Sequence, residues 1–541
     1  MIKKILLMAV NNDRVNGAWE EIGICYIASY LRKKGYEVKL IQKQEKEIDF
    51  DIIREFKPDV VGFDIYEVSV ASSFRVAKKI RELFPEVILA AGGPYPTYCH
   101  EELLMKEPLF HYCIRGEGEY VFWELLETLN HNKCLKEVKG ITYIQNQNAI
   151  VNRPQELIGA LSTLPLPARD ILRDNNLKVA MISTSRGCYA ACSFCSNQLF
   201  WKKWRGRDAV SIVDEIQEIA EKYDIFSFNF TDASFEDPSI DNYSRLRSIA
   251  NELIGRQLDI AFHADFRAEF QRNADDELIS LLFKAGLRGV YIGIEAFNDE
   301  DLRVYTKIAT VEDNCKVIEM FRKHNISTSC GIINFNPYST FDRLHENIKY
   351  MKQYGIAGNI EKITNRYRMY KETKLYERMQ KDGLLNAGEV FSEVGYNFLD
   401  ENIGELADYV TEYIEGINEK FNFPFVVINN FSENYISVVR HFYIKAQKYG
   451  NEKSSNVIMD FINASEALKQ VINDANANWF YNLLKLAESG WNKGTAREIS
   501  EKMLAPEFIN DLANQYKNLS KKLYIGLIRS DKRFVDIIDG F

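Results

Sequence analysis

Thr184-Ser185-Arg186-Gly187-Cys188-Tyr189-Ala190-Ala191-Cys192-Ser193-Phe194-Cys195 decides how the chain is read. Three cysteines fall in one short stretch, with three residues between the first two and two between the last two. Thiolates are soft ligands that suit iron–sulfur clusters, zinc or copper(I). A structural zinc site takes four ligands, and no fourth Cys or His lies close by; the nearest downstream is His263. A [4Fe–4S] cube held by three cysteines leaves one iron open to a small molecule. The bland alternative is three incidental or buried cysteines.

Working outward, Val179–Ser183 predicts a strand whose end carries the cysteines. A basic, aromatic run follows, Trp201-Lys202-Lys203-Trp204-Arg205-Gly206-Arg207, which also reads as a solvated surface segment. Next come a helix over Val210–Tyr223 and a strand over Ile225–Phe230, ending in Thr231-Asp232. A strand over Ile260–Ala264 runs into Asp265-Phe266-Arg267, and one over Arg288–Ile294 closes on Gly293-Ile294-Glu295. A further strand spans Ser327–Phe335. Strand-then-helix units with polar residues at each strand's carboxyl end describe a (β/α) barrel, and about six units fit here, fewer than a closed eightfold barrel needs.

The cysteine spacing, with the aromatic Phe194 before the last Cys, resembles the signature of the radical S-adenosylmethionine (SAM) enzymes. That resemblance implies a [4Fe–4S] cluster on Cys188, Cys192 and Cys195, SAM at the open iron, and a partial (β/α)6 barrel. It also implies SAM contacts from Asp232, Arg267 and Glu295, an Arg-x-Arg pair at Arg205 and Arg207, and a Lys followed by a helix cap at Lys307 and Thr310. Strand-end salt bridges are the structural alternative for these charged positions.

Residues 1–150 alternate strands and helices: strands at Ile5–Val10, Glu37–Gln42, Asp59–Asp64, Val87–Ala91 and Phe110–Ile114, helices between them. Such βαβ repetition predicts a doubly wound parallel sheet, with ligands at the carboxyl ends of the strands. Those ends carry Asn11–Glu20, Tyr66–Ser73, Gly92-Gly93-Pro94 and Arg115-Gly116-Glu117-Gly118-Glu119. The Gly-Gly-Pro and Arg-Gly-Glu-Gly-Glu turns look like the Rossmann-like cobalamin-binding domain that precedes the radical SAM core in one large subfamily; a generic flavodoxin-like domain is the alternative. The resemblance implies cobalamin contacts from Arg14, Trp19, Tyr66, Ser69, Gly92, Gly93, Gly116, Glu117 and Gly118. One departure stands out: no Asp-x-His-x-x-Gly motif occurs. Bound cobalamin is therefore expected base-off with no His ligand, and a degenerate domain without cobalamin stays open. Cys25, Cys99, Cys113 and Cys134 are expected to be buried, inert thiols, against the weaker idea of a second cluster.

Residues 151–178 read as a linker, extended at Leu164-Pro165-Leu166-Pro167; residues 179–390 form the barrel, and 391–541 a helical domain. In the last segment, Ile403–Lys420, Glu433–Tyr449, Ser455–Asp474, Ala477–Ser489, Ala496–Leu504 and Glu507–Leu523 carry helical periodicity. Its aromatics, Trp479, Phe480, Tyr481 and Trp491 among them, read as core stripes. A net charge of −9 over 541 residues disfavours nucleic acid or an anionic membrane as the main partner. No apolar run approaches the ~20 residues of a membrane span. The start, Met1–Val10, reads as a strand and not a signal peptide. Nine cysteines without a paired framework suit a reducing cytoplasm.

The family resemblance thus implies an enzyme with a cluster, SAM and cobalamin. The expected reaction is methylation of an unactivated carbon in a peptide or small-molecule substrate of natural-product type, with electrons from a flavodoxin or ferredoxin. Cyclisation or rearrangement without methyl transfer, or a non-catalytic sensor, are the alternatives.

Overall fold

Ile5, Leu6, Leu7, Met8, Ala9 and Val10 are all buried, so the opening strand is covered on both faces, as a strand inside a parallel sheet must be. The computed structural model describes residues 1–11, 19–106, 108–238, 241–386, 395–429 and 436–530. They fall into two compact units. The first is built mainly from Met1–Tyr189 and Ser196–Ala233; the second holds Ala190–Cys195 and most of the chain from Ser234 onward.

In the first unit seven strands form one sheet: β1 (Lys4–Asn11), β2 (Glu37–Gln44), β3 (Val60–Asp64), β4 (Ile88–Gly92), β5 (Tyr112–Ile114), β6 (Ile141–Gln145) and β7 (Asn148–Val151). Their order is β2-β1-β3-β4-β5-β6-β7. The first five are parallel, and β6 and β7 add antiparallel. Alternation along β1 feeds two cores. Ile5, Leu7 and Ala9 pack with Ile24, Leu31, Phe122 and Leu125 on one face. Leu6, Met8 and Val10 pack with Val76, Ile80 and Leu103 on the other. The β6–β7 hairpin was not foreseen. Its turn residues, Asn146 and Gln147, both adopt positive φ. Asn is at home there, whereas Gln is not a usual turn signal.

The stretch expected as a linker is packed. Leu161 and Leu164 cluster with Tyr26 and Ile158, Ala168 and Ile171 join the sheet's core, and Arg169 is buried. Beyond it come β8 (Val179–Ile182), β9 (Ser185–Arg186), β10 (Arg205–Gly206) and β11 (Ser227–Phe230). β8 and β11 pair in parallel, and β9 and β10 pair antiparallel. The helix Ala209–Tyr223 between them is capped by Asp208, whose carboxylate accepts from Ser211 N.

The second unit carries β12 (Ala261–Arg267), β13 (Leu287–Glu295) and β14 (Ser327–Ile332), all parallel. Helices Asp276–Ala285 and Val311–Lys323 connect them. Asp275 caps the first and Thr310, in a capping box with Asp313, caps the second. About six barrel units were expected. Among the described residues the sixth strand is reduced to a single parallel bridge between Phe335 and Arg366. The rest is helical: Glu401–Phe421, Ile436–Lys448, Glu452–Ser489, Lys493–Met503 and Pro506–Ser530. The two helices expected at 455–474 and 477–489 are one helix of 38 residues. Asn473 and Asn476 donate to the carbonyls of Lys352 and Ala357, so these apparent breakers are satisfied by neighbours outside the helix and it runs through. Trp479 and Phe480 are fully buried, but Tyr481 is 41% exposed and is no core residue. Among the described residues no helix is long and apolar enough to cross a membrane.

Candidate functional site

The cysteine stretch is held from its amino-terminal side by buried charge in the first unit. Asp232, just past β11, accepts hydrogen bonds from Thr184 Oγ1 (2.8 Å), Ser185 Oγ (2.8 Å) and Ser185 N. Its carboxylate therefore fixes the chain ahead of Cys188. Arg186 donates to Glu117 (2.7 Å) and Glu119 (2.6 Å), and Arg205 to Glu117 (2.9 Å). Arg186 also stacks over Tyr26, 5.0 Å from the ring centre. A second quartet lies alongside: Arg169 pairs with Glu20 and Glu215, and Arg207 pairs with Glu215. Burial pulls Arg186 down, but Glu119 and Glu117 outweigh it and hold the guanidinium above its ordinary value. Arg169 behaves likewise with Glu20 and Glu215. Arg205 and Arg207, read from sequence as a basic surface run or cluster neighbours, are thus occupied by carboxylates. Lys202 and Lys203 are exposed, as that surface reading has it.

Gly187 turns the chain into the cysteines with φ +86°, and a Cβ there would strike the Lys203 carbonyl. Gly187→Ala is expected to cost about 1–3 kcal/mol through backbone strain alone and to lower iron loading. Denaturant unfolding and iron content check it; unchanged values in both would show that the turn tolerates a side chain.

In the second unit the Cys192–Cys195 arm is fixed independently. Ser193 N donates to Tyr305 O (2.9 Å), Ser193 Oγ donates to Val304 O (2.7 Å), and Leu375 N donates to Ser193 O (2.9 Å). Phe194 meets Tyr305 edge-on at 5.4 Å. Cys188, Cys192 and Cys195 are each half-buried, and none of the nine cysteines forms a disulfide. All three thiols are reduced and partly accessible, chemistry open to a soft metal. Among the described residues no three His, Cys, Asp or Glu are arranged to hold a metal ion. Cys25, Cys99 and Cys113 are buried as expected; Cys134 is exposed, which corrects that expectation for it. His263 lies within β12, where burial lowers its pKa to about 4.

Two further candidates end strands in the second unit. Arg267 closes β12, is buried, and pairs with Glu269. Its backbone N–H donates to Glu236 (3.0 Å), whose carboxyl burial pushes up to about 7. Glu295 closes β13 at φ +62° and lies 3.5 Å from Lys307 Nζ. Burial raises its carboxyl, with Lys307 opposing. Lys307 also donates to Gly293 O (2.8 Å).

In the first unit the strand order reverses between β1 and β3, which is the ligand-binding crevice of open parallel sheets. A cavity of about 270 Å³ opens there, lined by Ala9, Val10, Asn11, Glu21, Asp64, Tyr66, Val68 and Ser69. Tyr66 and Ser69, expected cobalamin contacts, are therefore in it. Trp19 is half exposed, and its carbonyl accepts from Gln42 Nε2. Arg14 lies outside the described residues. A Cβ at Gly116 would meet nothing within 4 Å, and at Gly92 nothing closer than 3.8 Å, so both leave room at the strand ends. Gly93 and Gly118 serve internal packing instead: a Cβ there would strike Asp64 and Ile27 respectively. Glu117 points to Arg186, Arg205 and Ile158 N; its carboxylate has a structural occupation. The reading from sequence missed Glu21 and Asp64. The signal was present: Asp64 is the one charged residue ending the apolar strand Val60-Val61-Gly62-Phe63-Asp64.

Comparison with known proteins agrees with this layout. The B12 binding domain family matches residues 8–126, and the Radical SAM superfamily matches residues 182–351. An uncharacterized methyltransferase of Pyrococcus horikoshii is 27% identical over 345 residues, 62% of this chain and 73% of that protein. The anaerobic magnesium-protoporphyrin IX monomethyl ester cyclase of Rubrivivax gelatinosus is 28% identical over 402 residues, 71% of this chain and 70% of that one. The structure of OxsB, a cobalamin-dependent S-adenosylmethionine radical enzyme with aqua-cobalamin and S-adenosylmethionine bound, superposes with a TM-score of 0.70. It is 20% identical, over 95% of this chain and 84% of that one. A parallel sheet with a cavity at its switch point, followed in the chain by a half-buried triple-cysteine stretch after a strand, has the same order as these two families: the chain carries a B12-binding domain followed by a Radical SAM domain.

Proposed function

We propose that this protein is a cobalamin-dependent radical SAM enzyme that methylates an unactivated carbon of a peptide or small-molecule substrate. The observation that carries it is the pairing of two sites in one chain: three reduced, accessible thiols on anchored backbone, and a cavity at the β1/β3 switch point. In this reading Cys188, Cys192 and Cys195 hold a [4Fe–4S] cluster, Arg267 and Glu295 bind SAM, and Tyr66, Ser69, Gly92 and Gly116 face cobalamin. When bound, these groups supply a radical able to take hydrogen from an unactivated carbon and a methyl group to replace it.

The chain's own residues position and exclude. Asp232 and Arg186 set where Cys188 stands; Ser193 and Phe194 set Cys192 and Cys195. Lys307 holds the Glu295 carboxylate at the strand end. Fixing the reacting partners in this way is the protein's share of the catalysis. Electrons come from an external reductant of the flavodoxin or ferredoxin type.

A second reading, ring formation without methyl transfer, draws support from the Rubrivivax cyclase, whose similarity spans 402 residues. Assay of the anaerobically prepared enzyme with candidate substrates separates the two: a mass gain of one methyl group supports methylation, and loss of hydrogen without it supports cyclisation. The prior test is composition. Anaerobic purification with added hydroxocobalamin is expected to give about four iron, about four sulfide and about one cobalt per chain. Four iron without cobalt would overturn the cobalamin half of the proposal.

A further inference from the structure

The cavity at the switch point has an unusual floor. Asp64 ends β3 among apolar residues, is 8% exposed, and lines the cavity. Among the described residues no hydrogen bond or ion pair engages its carboxyl group. Gly93 packs against it so closely that a Cβ would strike Oδ1, so its position is set by the backbone. Glu21 lines the same cavity from the start of the first helix. No Lys, Arg or His is among the described lining residues.

Both carboxyl groups line this cavity with no cation among its described lining residues, and two carboxylates that share such a site raise each other's pKa, so that one of them holds a proton. We propose that Asp64 and Glu21 share one proton at the floor of this cavity, and that the protonated carboxyl of Asp64 donates a hydrogen bond to a carbonyl oxygen of the ligand, here one of the amide side chains that fringe cobalamin. The proposal rests on the reading of this cavity as the cobalamin site.

The surrounding charges point the same way. Burial, then the Glu21 charge, raises Asp64 well above the ordinary carboxylate range. Glu21 is raised by burial too, with a hydrogen bond from Tyr66 opposing. Tyr66, which follows β3, stays protonated, raised first by Asp64 and then by burial. Glu67 adds negative charge beside it. From the helix after β4, Tyr95 contributes a phenol that burial keeps neutral, and from the first helix Cys25 contributes a buried thiol. Among the described lining residues, β1 contributes one polar side chain, Asn11. Asp13 and Arg14 lie outside the described residues. The pair titrates as a unit, so its proton belongs to both groups.

The test is spectrophotometric titration of the full-length protein with methylcobalamin, whose upper ligand does not titrate, from about pH 6 to about pH 9. The sign is fixed: the donor exists only while the pair is protonated. Wild-type affinity is therefore expected to fall about tenfold as pH rises, one hydrogen bond lost and a repulsive carboxylate gained. Asp64→Asn keeps a neutral donor and is expected to bind with a flat profile, within about threefold of wild type at the acid end. Glu21→Gln removes the neighbouring charge and shifts the wild-type fall to lower pH. A flat wild-type profile overturns the proposal alone, whatever the variants do. A wild type that binds no methylcobalamin at any pH overturns it together with the reading of the cavity. Equal slopes for wild type and Asp64→Asn assign the pH dependence to another group and also overturn it.

Discussion

Cys192→Ala is expected to remove the cluster's visible absorbance and to reduce SAM cleavage to background. The geometry makes this a chemical loss and not a folding one. The backbone around Cys192 is pinned by its neighbours: Ser193 holds Tyr305, Val304 and Leu375 through three hydrogen bonds that do not involve the thiol. Cys195 N donates to Cys192 O (3.3 Å), again a backbone contact. Alanine keeps all of these, so the melting temperature of the apoprotein is expected to stay within about 2 °C of wild type, as for substitutions away from packed cores. What is lost is one of three thiolates, and no other cysteine stands in this segment to replace it. Two controls separate the causes. Cys134→Ala changes an exposed thiol and is expected to leave iron content and stability alone. Cys25→Ala changes a fully buried member of the sheet's core and is expected to lower stability by about 1 kcal/mol without touching the cluster. Wild-type absorbance in Cys192→Ala would sink the cluster assignment.

The cysteine motif, the first five strands, the capped helices and the strand-end residues were legible because each is local. Apolar periodicity announces β1 and the helix that follows Asp208, and the family resemblance places a helix cap at Thr310. The residues that hold the site together were not legible, because their partners are remote. Glu117 and Arg186 are 69 positions apart, and Glu20 and Arg169 are 149 apart. An Arg-Gly-Glu-Gly-Glu turn looks like a ligand loop, yet the Glu117 and Glu119 carboxylates turn inward to Arg186. Arg169 sits after a proline-rich joint that composition marks as linker, but its guanidinium is met by two buried carboxylates. The single long helix at 452–489 was hidden for the same reason, since the partners of Asn473 and Asn476 lie more than a hundred positions away.

Those remote pairs give the largest expected effect on stability. Each buried quartet is balanced, two guanidinium groups against two carboxylates: Arg186 and Arg205 with Glu117 and Glu119, Arg169 and Arg207 with Glu20 and Glu215. Burying four charges is tolerable only while every one keeps its partner. Glu117 is the hub of the first quartet, accepting from Arg186, Arg205 and Ile158 N. Glu117→Gln leaves Arg205 with no anionic partner, only neutral oxygens such as the Ile158 carbonyl, and its Nε and Nη2 already lack partners. The expected cost is about 3–5 kcal/mol, the range for breaking a buried pair from one side. Glu119→Gln is expected to cost less, because Arg186 retains Glu117. Denaturant unfolding of the apoprotein ranks the two variants. The same substitution carries a second readout, because Arg186 stands two residues before Cys188 and shares its strand with Ser185, which Asp232 grips. In this variant Arg186 keeps Glu119 alone, which loosens that approach from one side only, so Glu117→Gln is expected to load iron poorly even under conditions where it remains folded. If Glu117→Gln unfolds like wild type and loads iron fully, the quartet is neither a stabilising element nor the anchor of the cysteine stretch, and Asp232 and Gly187 alone must set the position of Cys188.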